Sequence, residues 1–136
     1  MRLLLGLMLS AGCAVLLCAC TSSKSSGSSG QAMDNAAGGT TVSGVLIDQA
    51  CGANMMKESD PENAASKHPK SCATKDACAA SGYAVISGSE MIKFDDNGNT
   101  LAKDFLAKTD KTDNLRVTVH GARTGDTIAV TSITPG

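Results

Sequence analysis

The sequence is poor in aromatic residues, with no tryptophan, one tyrosine and two phenylalanines among 136 residues. It also lacks an excess of basic charge, since it has 12 lysines and arginines and 13 acidic residues. Domains that bind single-stranded nucleic acid stack bases on aromatic side chains over a basic groove. We therefore expect no nucleic-acid partner, and a core made mainly of aliphatic and small side chains.

The six cysteines include no C-x-x-C pair, the arrangement in which dithiol redox proteins lower the pKa of a thiol. A Cys–His nucleophile would need His68 or His120 within hydrogen-bond reach of a thiol. His120 falls on the outward face of a predicted strand, where a solvated histidine is the ordinary result. No catalytic residue can be named, so we expect that the protein is not an enzyme.

The N-terminus carries one apolar run, residues 3–17, which is shorter than the roughly 20 residues a membrane-spanning helix needs. It has the length and flanks of a signal-peptide core. The following Leu17-Cys18-Ala19-Cys20 resembles the lipobox of bacterial lipoproteins. The resemblance implies a signal peptide at 1–19, cleavage before Cys20 and lipidation of Cys20.

Residues 20–39 are rich in serine and glycine, a composition that cannot bury a core and favours a disordered tether. Removing the signal peptide subtracts Arg2 and no acid, which leaves 11 basic and 13 acidic side chains. Two or three acyl chains hold a protein stably on a membrane. We expect a membrane-anchored lipoprotein facing outside the cytoplasm. Thr21, in place of aspartate after the lipidated cysteine, resembles an outer-membrane address in a Gram-negative host.

The domain at 40–136 shows strand patterns separated by glycine-rich turns, with one short helix predicted at 100–108 after a polar turn at 95–99. Residues 41–48 have apolar side chains on both faces, typical of a strand that bends, with Gly44 at the corner. A turn is predicted at 121–125. The predicted strands are 41–48, 83–87, 90–94, 115–120 and 126–131.

This order of elements resembles a small five-stranded OB-like barrel, a mainly β fold with one helix between strands 3 and 4. A small open β-sandwich or roll is the alternative. The chain is also similar to short secreted bacterial proteins that begin V-x-G-x-L-x-D-x-x-C, here Val42 to Cys51, and end V-x-V-x-G, here Val117 to Gly121. That resemblance implies no activity.

Between strands 1 and 2 lies a connection of about 34 residues, far above the usual median of about 4–6. A short helix is predicted at Asp60-Pro61-Glu62. The insertion holds Cys51, Cys72 and Cys78. Outside the cytoplasm two of them are expected to pair in a disulfide, with the pairing open. A bridge from Cys51 to Cys72 would contribute about 3 kcal/mol by loop-closure entropy.

The same insertion also fits a metal site. Cys51, His68, Cys72 and Cys78 form a Cys₃His set that suits tetrahedral zinc, and proline and small residues around His68 indicate an exposed loop. Alternatively, Met55 and Met56 with the thiols form a soft set that suits copper(I). The sequence thus predicts a lipid-anchored envelope binding or interaction module for an unknown envelope protein or small ligand. The alternative is a metal-binding envelope lipoprotein.

Overall fold

The computed structural model describes residues 39–136. The predicted signal peptide, the predicted lipidation site at Cys20 and nearly all of the predicted tether lie outside the described residues. Between residues 39 and 136, no helix combines the length and apolar character needed to cross a membrane. The strands are β1 (Thr40–Asp48), β2 (Tyr83–Ser87), β3 (Glu90–Phe94), β4 (Arg116–Thr124) and β5 (Thr127–Pro135); the helices are α1 (Gln49–Met55), α2 (Pro61–Ser66), α3 (Lys70–Ala73), α4 (Asp76–Ala80) and α5 (Asp96–Lys108).

The five strands form one mixed sheet that closes into a ring in the order β1-β2-β3-β5-β4. All neighbours are antiparallel except β3 and β5, which run parallel. The prediction of a mainly β domain was too strong, because nearly as many residues lie in helices as in strands. Four of the five helices fall in the β1–β2 connection, where the sequence had indicated one.

Strand β1 is buried on both faces, as its composition predicted. Val42 and Leu46 pack with the main core inside the ring. Val45 and Ile47 point the other way and pack with Ala65 of α2 in a second apolar cluster. Each fully buried aliphatic side chain contributes about 1.5–3 kcal/mol. The second cluster therefore holds the helical insertion against the outer face of the ring.

Strand β1 changes partner along its length, pairing with β4 up to Val45 and with β2 from Val45 onwards. Gly44 stands at this change. A Cβ there would lie 2.2 Å from the carbonyl oxygen of Ile86. Gly44 is therefore required because a side chain would force β1 and β2 apart.

Two predicted turns were wrong. The polar stretch after β3 begins α5 at Asp96, because Asp95 caps the helix by accepting a hydrogen bond from the Gly98 amide at 2.9 Å. Strand β4 continues to Thr124 instead of turning at Gly121. A register shift between His120 and Gly121 keeps the strand paired to β5.

We expect Gly44→Ala to destabilise the protein by about 1–3 kcal/mol, the usual cost of overpacking, measured by urea unfolding. Gly39→Ala is the matched control, since nothing lies within 4 Å of a Cβ at Gly39. Equal stability of the two variants would contradict the close approach of β1 and β2.

Candidate metal centre

The candidate site lies where β1 ends and the helical insertion begins. Asp48 is the last residue of β1 and the N-cap of α1, and its Oδ1 accepts a hydrogen bond from the Cys51 amide at 2.9 Å. This cap places Cys51 in the first turn of α1, directly beside the carboxylate. A strand end and a helix start are thereby fixed by one side chain.

The other site residues come from three later segments of the insertion. His68 follows the end of α2, and its amide donates to the carbonyl of Ala65 at 3.0 Å. Cys72 lies on α3 and Cys78 on α4. These helices have only four to seven residues each, too short to be stable alone. Their positions depend on the contacts they make with the ring.

Several hydrogen bonds hold these short helices in place. The Lys70 amide and ammonium donate to the carbonyls of Thr112 and Thr109, at 2.7 and 2.8 Å. The Ser81 hydroxyl donates to the carbonyl of Cys78 at 2.7 Å and accepts from the amide of Ala50 at 3.1 Å. These bonds join α3 to the loop after α5. They also join α1 to the end of α4, beside the cysteines.

The structure brings all four predicted ligands together. The ligand atoms of Cys51, His68 and Cys72 lie within 4.8 Å of one another, and so do those of Asp48, Cys51 and Cys78. Cys51 belongs to both groups and lies at their junction. Donors around tetrahedral zinc are separated by about 3.5–3.8 Å, given its bond lengths. Separations of up to 4.8 Å within each group are near those that such an ion requires.

The three cysteines between residues 39 and 136 are free thiols. They lie near enough to influence one another's ionisation, since Cys72 and Cys78 both contribute to the raised pKa of Cys51. The expected disulfide is therefore not formed in this structure, although thiols in such proximity are candidates for oxidation. The geometry presents a reduced set of sulfur donors.

The prediction of an exposed loop at His68 was wrong. His68 is only 7 % exposed, and it directly follows α2, which packs against β1. Both of its ring nitrogens are buried without a hydrogen-bond partner. A histidine that only packs in a core normally satisfies at least one nitrogen, and an unsatisfied buried polar group costs about 1–3 kcal/mol.

Asp48 is the residue that sequence reasoning missed. It is 0 % exposed, and its Oδ2 has no hydrogen-bond partner. The His68 ring lies beside it, with Nε2 at 3.7 Å from Oδ2. The signal in the sequence was an aspartate that ends an apolar strand and stands three residues before a cysteine. Such a carboxylate must either reach solvent or be buried as a cap.

Burial and negative charge suppress the ionisation of Cys51 and Cys78. Burial, with Asp48 and the neighbouring thiols adding to it, raises the pKa of Cys51 to about 12. Desolvation and the Asp48 carboxylate also raise the pKa of Cys78. Tyr83, at the start of β2, has its pKa raised by burial and by the same neighbours. Its hydroxyl donates to the carbonyl of Ala73 at 3.0 Å.

The remaining polar and sulfur residues singled out from the sequence take structural positions. Met55 and Met56 pack with Met91 against the second apolar cluster beside Cys51, which is the usual role of methionine as an adaptable packing residue. His120 lies on β4, and its Nδ1 is 3.0 Å from the hydroxyl of Thr41. His120 therefore contributes to the contact between β1 and β4 and is not part of the cysteine site.

Comparison with family models, with curated proteins and with solved structures finds no match to this chain. Any functional conclusion therefore depends on the geometry of the site.

In the metal-free protein, Cys51 should react slowly with alkylating reagents, because the thiolate is the nucleophile and its pKa is about 12. We expect iodoacetamide at about pH 8 to modify Cys51 at least about tenfold more slowly in the folded protein than in urea. Peptide mass spectrometry measures both rates. Equal rates would show that Cys51 is neither desolvated nor close to Asp48.

Proposed function

We propose that this protein is a metal-binding lipoprotein domain of the cell envelope, with zinc bound by Cys51, His68, Cys72 and Cys78. One observation carries the proposal. A buried histidine with both nitrogens unpartnered lies against free thiols and an unpartnered carboxylate oxygen. A cation bound by the thiols and the imidazole would give these groups partners that the protein itself does not supply.

Zinc fits the donors better than copper(I) bound through thioethers. Three thiols and one imidazole complete a closed tetrahedral set, the arrangement of structural zinc sites. Met55 and Met56, which a thioether site would need, pack against the second apolar cluster, a role that methionine fills without a metal. Copper(I) held by the thiols alone is an outcome that metal analysis distinguishes.

A closed set of four ligands favours a structural ion over a catalytic one. The ligands come from α1, the end of α2, α3 and α4, so one ion would cross-link the whole insertion. A small domain with few aromatic side chains gains much from such a link. We therefore propose that the ligand of the predicted binding module is a metal ion.

The fold and the location belong to the same proposal. The order β1-β2-β3-β5-β4, the parallel β3–β5 pair and the placement of α5 between β3 and β4 support an OB-like barrel. The lipobox at Cys20 supports anchoring to a membrane outside the cytoplasm. Binding residues in proteins often lie on long loops held by a rigid scaffold, and the proposed ligands lie on such an insertion.

Elemental analysis of protein purified anaerobically should find about one zinc ion per chain. Zinc should raise the free energy of unfolding by about 4 kcal/mol when its free concentration exceeds the Kd a thousandfold. His68→Ala should remove this stabilisation because it deletes a ligand. His120→Ala is the matched control, since His120 contacts Thr41 and not the thiols. Equal responses of the two variants would refute the site.

Bound metal should also protect the thiols from oxidation. With oxidised glutathione, two thiols of the metal-free protein would lose two protons and two electrons to form a disulfide and two molecules of reduced glutathione. Thiol titration after unfolding with a chelator should then count one thiol among Cys51, Cys72 and Cys78. Zinc-loaded protein treated in the same way should retain three. A single thiol in both samples would favour a disulfide over a metal site.

A further inference from the structure

We propose that Asp48 positions the metal ligands: its Oδ2 accepts a hydrogen bond from His68 Nε2–H, while His68 Nδ1 binds the metal. This inference rests on the proposed metal site and adds a residue and an imidazole tautomer to it. Asp48 is a positioning residue here, because it acts through His68 and Cys51 and does not itself bind the ion.

The first argument is a count of unpartnered buried atoms. Asp48 Oδ2, His68 Nδ1 and His68 Nε2 all lack partners. If Nδ1 binds the metal and Nε2–H donates to Oδ2, all three atoms are satisfied by one ion and one hydrogen bond. If Nε2 bound the metal instead, Nδ1 would stay buried and unpartnered, at a cost of about 1–3 kcal/mol.

The second argument is distance. His68 Nε2 lies 3.7 Å from Asp48 Oδ2, only about 0.5 Å beyond the upper limit of about 3.2 Å for a hydrogen bond. Metal-bound histidines usually donate their second N–H to a carboxylate or carbonyl, which fixes the tautomer and the ring orientation. Asp48 is the carboxylate placed to accept it.

The third argument is the double role of one side chain. Asp48 Oδ1 already accepts the amide of Cys51 at 2.9 Å and so fixes the start of α1. Oδ2 faces His68, which reaches the site from the far end of α2. One carboxylate at the end of a buried strand would therefore orient two ligands from different parts of the insertion. Burial at 0 % exposure keeps that carboxylate away from competing water.

Direct ligation by Asp48 is the competing arrangement, since its carboxylate also lies within 4.8 Å of Cys51 and Cys78. It would make Asp48 a fifth donor beside three thiols and an imidazole, whereas zinc in structural sites takes four. Replacing one thiol by Asp48 would leave that thiol without a partner. The four N and S donors therefore form the set that we assign to the ion.

The tautomer can be read in the unmodified full-length protein. After exchange of zinc for ¹¹³Cd, ¹⁵N NMR of the imidazole should show one-bond coupling from cadmium to Nδ1 of His68, with Nε2 protonated. Coupling to Nε2 would overturn the inference while leaving the metal site intact. Absence of any bound metal would overturn the site itself, and the inference with it.

Substitutions test the positioning role. Asp48→Ala should weaken zinc binding by about 10–100-fold, the usual effect of losing a partner of a metal-bound histidine, with the stoichiometry still one ion per chain. Asp48→Asn, which can keep the cap on Cys51, should lose less. Chelator competition measures both. Unchanged affinity in Asp48→Ala, or loss of one metal–oxygen ligand from the X-ray absorption spectrum, would contradict positioning.

The matched control is Asp60→Ala. Asp60 caps α2 in the same insertion, with Oδ1 accepting from the Asn63 amide at 3.1 Å, but it is exposed. It therefore reports the effect of removing a helix cap without removing a partner of His68. If Asp60→Ala weakens zinc binding as much as Asp48→Ala, the effect is one of helix capping alone.

Discussion

The arrangement of this domain depends on one buried carboxylate. Asp48 ends a strand whose apolar residues are buried on both faces, and it is itself fully buried. Carboxylates are rarely buried unless they are paired, because leaving water costs several kcal/mol. One oxygen is satisfied by the start of α1. The other has no hydrogen-bond partner and lies 3.7 Å from Nε2 of His68, so a cation bound nearby would stabilise this buried carboxylate.

The same strand explains why the insertion folds where it does. Because Val45 and Ile47 project from the outer face of the ring, that face needs an apolar cover. Helices α1 and α2 provide it through Ala65 and the adjacent methionines. Covering this face carries Cys51 and His68 to the end of β1, beside Asp48. Apolar packing thus brings the candidate ligands together. A metal ion would cross-link residues that packing has already placed close to one another.

The sequence predicted those parts that local chemistry determines. The β2–β3 hairpin matched its predicted bounds because two short apolar runs on either side of Gly88 specify it. The start of α5 was missed because Asp95 looks like a turn residue, whereas its carboxylate also accepts from the amide of Val130 at 3.0 Å. That contact joins distant segments. The burial of His68 was missed for the same reason, since it follows from packing that no local pattern around Pro69 reveals.

Magnitudes favour a metal over a disulfide as the partner of these cysteines. A disulfide closing a loop of about 20 residues contributes about 3 kcal/mol, and it would use two thiols while leaving the third, His68 and Asp48 Oδ2 unsatisfied. Structural zinc in small domains binds with apparent free energies of about 10–16 kcal/mol near neutral pH. Part of that energy would be spent on deprotonating Cys51, whose pKa is about 12. Even after that deduction, one ion together with the hydrogen bond from His68 to Asp48 would give all three unpartnered atoms partners, whereas a disulfide would give partners to none of them.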